Sequence, residues 1–336
     1  MNRMYIANPI YDTVFKHLME NNRIARFFVE TIIGQQVESI AVKPQEHTYF
    51  KTLPADIDLS AMTDEEMEKI EHVLSIIRYD FVAVIRTPED GYKKVLIEIQ
   101  KARNEVDLMR FRNYLAEQYK RQDTVTVDGR DTEEVLPVIT IYLLGFELPE
   151  TKAIAIHVSR TYRDMITQTE LHVKSEFIEC LTHDSYVVQI PQIEGKTRTR
   201  LEKLLSLFEQ RYFIDDKGIR KEYHHEVDDE NIRLMLEILY HTGADPKKQQ
   251  EIEDEWWSNE YWYEFVVKRD KKIAMQQKEL EEKDKTIEES QKALEEKDKA
   301  LEEKDKVLEA NQKALKEKDK ENEELRKQLA ALNNFQ

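Results

Sequence analysis

Cysteine is nearly missing from this chain: Cys180 is the only one. A single thiol excludes an intramolecular disulfide and suits a reducing compartment. No evident activating partner accompanies Cys180, so it reads as a buried structural thiol. Glycine is scarce too, with seven in 336 residues, and one lying between two β-rich runs marks a turn that needs positive φ. The chain holds no run of about eighteen apolar residues, so no membrane-spanning helix is expected. Its start, MNRMYIANPIYD, lacks the apolar core of a signal peptide. A soluble, cytoplasmic protein without membrane partners is expected. A phosphate loop, a dinucleotide fingerprint and a Ser-His-Asp signature are all missing, which removes three common chemistries. His224-His225-Glu226 lacks the ligand spacing of a zinc site.

Net positive charge is also lacking. The formal charge is −17, and Asp270–Lys327, with 19 acidic and 16 basic residues, accounts for −3 of it. The remaining −14 falls on residues 1–269. Such a body carries no overall basic footprint of the kind nucleic-acid binders leave. One local exception is the run Lys101, Arg103, Arg110, Arg112, Lys120 and Arg121. It reads equally as a phosphate-binding stripe or as a solvated helix face.

What is present begins with helical spacing over Tyr11–Ile33, with a break near Asn21–Asn22 and a stop at Gly34. A weaker strand candidate follows at Val37–Val42, and Asp64–Leu74 has helical character. Arg78–Arg86 (RYDFVAVIR) and Lys94–Lys101 (KVLIEIQK) are rich in Val and Ile and flank TPEDGY, a β-hairpin signal. Val106–Arg121 puts Leu108, Phe111, Leu115 and Tyr119 on one helical stripe. Glu134–Phe146 contains a buried strand, Ala153–Val158 and Tyr186–Ile190 give shorter ones, and a helix is expected over Glu170–Leu181. Beyond Thr197 the chain turns helical, at Arg200–Tyr212 and at Asp229–Tyr240, with Gly243 closing the second helix. The patch running from Trp256–Trp257 through Tyr261–Trp262–Tyr263 to Phe265 reads as a helix docked by its aromatics.

The hairpin carries the chemistry. Taking Glu89-Asp90-Gly91 as a three-residue loop with Gly91 left-handed, paired positions sum to 180. Asp80 then faces Gln100, with Glu98 its diagonal neighbour on the same face, about 7–8 Å away. Val82, Val84 and Leu96 share that face, and Phe81, Ala83, Ile85, Val95, Ile97 and Ile99 line the other. Both faces are apolar, so the strands are expected to be covered on both sides. Two carboxylates in such a place repel each other and lose hydration; a hard cation such as Mg²⁺ resolves both problems. The alternative is a pair of polar residues at strand ends that reach solvent.

An Asp followed by ExQ on a hairpin, preceded by the YDTVFKHLM helix and followed by an RxxxY helix, resembles the PD-(D/E)XK nuclease family transposases, or recombination-promoting nucleases. The resemblance spans roughly residues 9–150. It implies a restriction-endonuclease-like α/β (α+β) core with a mixed central sheet flanked by helices. It also implies a Mg²⁺- or Mn²⁺-dependent endodeoxyribonuclease linked to mobile elements or recombination. By the resemblance Asp80 and Glu98 hold the metal. Gln100 stands where the wider superfamily has lysine, leaving Lys101 as a nearby charge, although strand alternation turns it to the other face. Asp12 and Lys16 match the amino-terminal DxxFK motif as an outer carboxylate and a phosphate contact, or as a pair with each other. Arg110 and Tyr114 match the helical DNA-binding arginine and tyrosine.

Three regions are expected: a nuclease-like domain at 1–192, a helical accessory region at 193–267, and a charged heptad-repeat helix at 268–336. The last repeats LEEKDKx, placing Leu280, Ile287, Leu294, Leu301, Leu308 and Leu315 seven apart. A coiled coil wants a second apolar position per heptad, and here that position is Lys or Asp. A long solvated helix and a homodimer through it are both open. Two readings rival the enzyme: a catalytically silent nuclease fold that binds DNA or protein, and a scaffold whose tail helix recruits a partner.

Overall fold

The computed structural model describes residues 4–43, 81–100, 111–112, 115–127, 129–193 and 195–333. The chain divides into two compact units, Met1–Tyr263 and Glu264–Gln336.

The first unit is built on a six-stranded mixed sheet of order β2-β3-β4-β7-β11-β8. Its strands are β2 (Ser39–Val42), β3 (Phe81–Thr87), β4 (Gly91–Gln100), β7 (Val138–Leu144), β8 (Ala155–Val158) and β11 (His183–Gln189). β2, β3 and β4 run antiparallel in succession, whereas β4–β7 and β7–β11 are parallel and β8 returns antiparallel to β11. A parallel neighbour needs a crossover between the strands. Helix α3, seen at 111–112 and 115–119, and the hairpin β5 (Asp123–Val127) and β6 (Arg130–Glu134) lie in the β4–β7 connection.

One sheet face is covered by α1 (Asp12–Met19) and α2 (Asn22–Ile33). Asn21 caps α2 by accepting from the Arg23 and Ile24 amides, and Gly34 ends it at φ 68°. Both follow from residue type, since Asn offers a short acceptor and Gly alone enters the left-handed region freely. Phe15 of α1 packs edge-on against Phe81 and Phe28, with ring centroids 6.3 and 5.4 Å apart. The α1 amino terminus has no side-chain cap of its own. Glu255 supplies one from a distance, accepting from the Asp12 and Thr13 amides at 2.8 and 2.9 Å. A carboxylate there suits the positive end of the helix dipole.

Several boundaries differ from the sequence expectation. The stretch expected as one helix over Glu170–Leu181 is split: Glu170–Leu171 (β10) pairs with Tyr162–Arg163 (β9), and only Glu176–Leu181 (α4) is helical. No residue of α4 is buried, and Cys180 is half-exposed, not a core thiol. The helix expected to reach Tyr212 stops early, as α5 (Arg200–Leu205) followed by a 3₁₀ turn at Ser206–Phe208. There the chain bends to let β12 (Arg220–Tyr223) pair with β1 (Met4–Ala7), a contact between segments over two hundred residues apart. Gly243 does not close its helix. It lies inside α6 (Glu230–Ala244), where a Cβ would come within 3.0 Å of the Ala7 amide nitrogen.

Helix α7 runs from Pro246 to Asn333. At its start Trp256 packs on the core, while Trp257 is exposed, and the Lys217 ammonium lies over both rings. In the second unit the heptad leucines are exposed. Among the described residues no helix is long and apolar enough to cross a membrane.

Candidate functional site

The β3–β4 hairpin forms where the Val/Ile-rich runs predict it, with Gly91 at φ +73°. Its register differs from the expectation. Thr87 pairs with Gly91 and Phe81 with Ile97, so paired positions sum to 178 and the loop is Pro88-Glu89-Asp90. Thr87 holds this loop, its hydroxyl accepting from the Asp90 amide at 3.2 Å. A slip of one residue would have exchanged the two faces, but a change of two in the sum preserves them. The odd residues Phe81, Ala83, Ile85, Val95, Ile97 and Ile99 therefore join the main core beneath α1 and α2. The even residues Val82 and Leu96 pack with Phe111, Leu115, Tyr119, Val138 and Tyr142 under α3.

Glu98 stands on this even face, on a strand flanked on both sides, and is only 3% exposed. It is not a strand-end residue reaching solvent. Across the parallel ladder its partner is Tyr142, whose ring meets Phe111 edge-on at 4.5 Å. Burial pushes the Tyr142 phenol well above its ordinary range; a hydrogen bond with Thr140 opposes the shift and the Glu98 charge reinforces it. The same face carries further polar groups that sequence reasoning missed. Thr140 donates to the Ser185 hydroxyl at 2.8 Å, and the Tyr119 hydroxyl lies 2.8 Å from His183 Nδ1. Burial, reinforced by the Arg160 charge, holds His183 below its usual value.

Lys94 was also missed, although its even number puts it on the face of Glu98. It is almost fully buried, with its ammonium 2.6 Å from Asp123 and donating to the Gln118 carbonyl at 3.1 Å. It thereby ties β4 to the end of α3 and the start of β5. The strand period gave that signal, whereas the Tyr119–His183 contact joins residues 64 apart and has no local signature.

The other expected site residues fall as follows. Asp12 and Lys16 pair with each other at 2.6 Å, one turn apart on α1, with Lys16 6% exposed. Their helix covers the face opposite Glu98, through Phe15 on Phe81. Gln100 is the last residue of β4, in register with Leu144. Asp80, Lys101, Arg110 and Tyr114, and the helical candidate Asp64–Leu74, lie outside the described residues. Of the basic run, Arg112, Lys120 and Arg121 are exposed, and Lys120 pairs with Glu117 at 2.8 Å. His224 and His225 engage Glu222 and Glu209 respectively.

No family model, curated protein or solved structure matches this chain.

A magnesium or manganese ion needs hard oxygen donors. Glu98 supplies one such carboxylate, buried on a central strand, and so fits that part of the requirement. Among the described residues no group of three or more His, Cys, Asp or Glu side chains gathers as a metal site, and Asp80 is not one of those residues.

Proposed function

We propose that the first unit is a divalent-metal-dependent phosphodiester hydrolase acting on DNA, with Glu98 and Asp80 as its metal ligands. The observation that carries this reading is the burial of the Glu98 carboxylate, at 3% exposure, on a strand held between β3 and β7. Removing a carboxylate from water costs several kcal/mol unless opposite charge or hydrogen bonds offset it, and our reading gives a share of that role to a metal ion. The sheet supports the reading in a second way. The pair sum of 178 holds through Phe81 and Ile97, and our reading extends it by one pair, to Asp80 and Glu98. The proposal therefore takes the two carboxylates as directly opposed, about 4.5–5.5 Å between Cβ atoms, and not diagonal.

In this reading the nuclease-like core is of the PD-(D/E)XK kind, and Glu98 and Asp80 would hold Mg²⁺ or Mn²⁺. The bound ion would supply a water of lowered pKa and a polarised phosphate. Gln100, two residues along the same strand face, offers two donors and an acceptor without charge, so it orients substrate or water. Arg110 and Tyr114 contact the DNA backbone, and Lys101 supplies a nearby positive charge. Asp12 and Lys16 act as a pair, Asp12 holding the Lys16 ammonium in place.

A plasmid-nicking assay on the full chain with Mg²⁺ or Mn²⁺, set against Glu98→Gln, tests this. The variant keeps the shape of the side chain and removes its charge. We expect nicking by the parent chain, a loss on the order of 10³-fold or more in the variant, and weaker metal binding by calorimetry. Equal nicking by both proteins would end the proposal. A parent chain that retains DNA but never cuts it would instead favour the catalytically silent reading.

A further inference from the structure

The heptad stripe of α7 has two chemically different edges. Six apolar residues, Leu280, Ile287, Leu294, Leu301, Leu308 and Leu315, recur every seven positions, and all are exposed by 53–66%. In a straight α-helix such a row drifts about 20° per heptad, or roughly 100° over five. It keeps to one line only when the helix winds left-handed around a partner of the same period.

The flanks say which partner. Three residues after each stripe member the chain has Lys283, Ser290, Lys297, Lys304, Asn311 and Lys318. Four residues after, it has Asp284, Gln291, Asp298, Asp305, Gln312 and Asp319. Positions i+3 and i+4 fall on opposite sides of residue i, each about 50° away at 3.5 residues per turn. The stripe therefore has a lysine edge and an aspartate edge, both neutral at the same two repeats. Two such helices side by side and parallel bring the lysine edge of each onto the aspartate edge of the other. Antiparallel pairing brings like edges together, Lys to Lys and Asp to Asp.

We propose that residues 280–319 pair in parallel and in register with the same segment of a second copy of this chain. Lysine and aspartate beside the stripe make the seam weaker than an all-apolar one, and they select orientation and partner. The assembly forms and separates with concentration.

Sedimentation equilibrium on the full chain tests this, with charge-reversed variants. Changing Lys283, Lys297, Lys304 and Lys318 to Glu gives two acidic edges; changing Asp284, Asp298, Asp305 and Asp319 to Lys gives two basic ones. Each variant alone is expected to dissociate at least about tenfold more readily than the parent, and an equimolar mixture to re-form dimers. In a Cys180→Ser background, Leu294→Cys and Leu315→Cys should each form disulfide-linked dimers with itself under mild oxidation. A parent chain that stays monomeric throughout, dimers indifferent to both reversals, or cross-linking only between the two different cysteine positions would each overturn the proposal.

Discussion

Lys221 stands far from the environment a lysine ordinarily has. It lies buried on β12, and its ammonium donates to the Leu207 and Glu209 carbonyls at 2.6 and 2.5 Å. Burial pushes its pKa down to about 7, against the opposing charge of Glu209. In the unfolded chain it stays protonated to about pH 10.4. Between those values the unfolded chain binds the extra proton, so stability rises with pH and is lost as pH falls toward 7. Denaturant unfolding at pH 7, 8 and 9, followed by tryptophan fluorescence, should show that rise, on the order of a kcal/mol per pH unit. Lys221→Met should flatten it, and an equal slope in the variant would show that another group is responsible. The raised tyrosines do not intrude, since Tyr119 and Tyr186, both pushed up to about 12, titrate above this window. His183, held below its usual value, titrates beneath it.

Among the elements, the meeting of α6 with β1 depends on one missing side chain. Gly243 sits within the helix at ordinary φ, and a Cβ there would meet Ala7 N at 3.0 Å, Ile6 C at 3.4 Å and Ala7 Cα at 3.5 Å. Those neighbours are backbone of a paired strand and cannot swing aside. Gly243→Ala gains up to about 1 kcal/mol in helix propensity, yet must separate α6 from β1. The overlap costs typically 1–3 kcal/mol. A net loss of about 1 kcal/mol in unfolding free energy is expected. A variant more stable than the parent would show that the helix shifts without penalty. The β3–β4 hairpin teaches a related point: Gly91 was legible as the left-handed turn residue, but the choice between two three-residue loops was not. Either loop satisfies the composition; the Thr87–Asp90 hydrogen bond belongs to the loop that forms.

For the molecule as a whole the governing quantity is charge. A chain of net charge −17 repels DNA except where cations gather locally. If all six of Lys101, Arg103, Arg110, Arg112, Lys120 and Arg121 touched phosphates, the log–log salt slope would reach about −5. Fluorescence anisotropy with a labelled duplex over several salt concentrations should give a slope no steeper than that, with binding lost near physiological salt. Retention that ignores salt would mean that backbone phosphate contacts do not drive it.

Residue type and spacing alone determined much of this protein. The α1–α2 break at Asn21, the stop at Gly34, the two faces of the β3–β4 hairpin and the heptad tail were all readable, because each rests on contacts within a few residues or on a fixed period. The face carrying Glu98 was readable too, since parity survives a two-residue change in register. Only tertiary structure decided the rest. β1 and β12 are four residues each, too short to signal themselves, and exist because each completes the other's ladder. β9 and β10, two residues each, break what reads as one helix for the same reason. The Tyr119–His183 contact and the Lys94–Asp123 pair join elements that the chain does not place side by side. Gly243, which in sequence looks like a helix stop, became a packing residue because a distant strand lies against it.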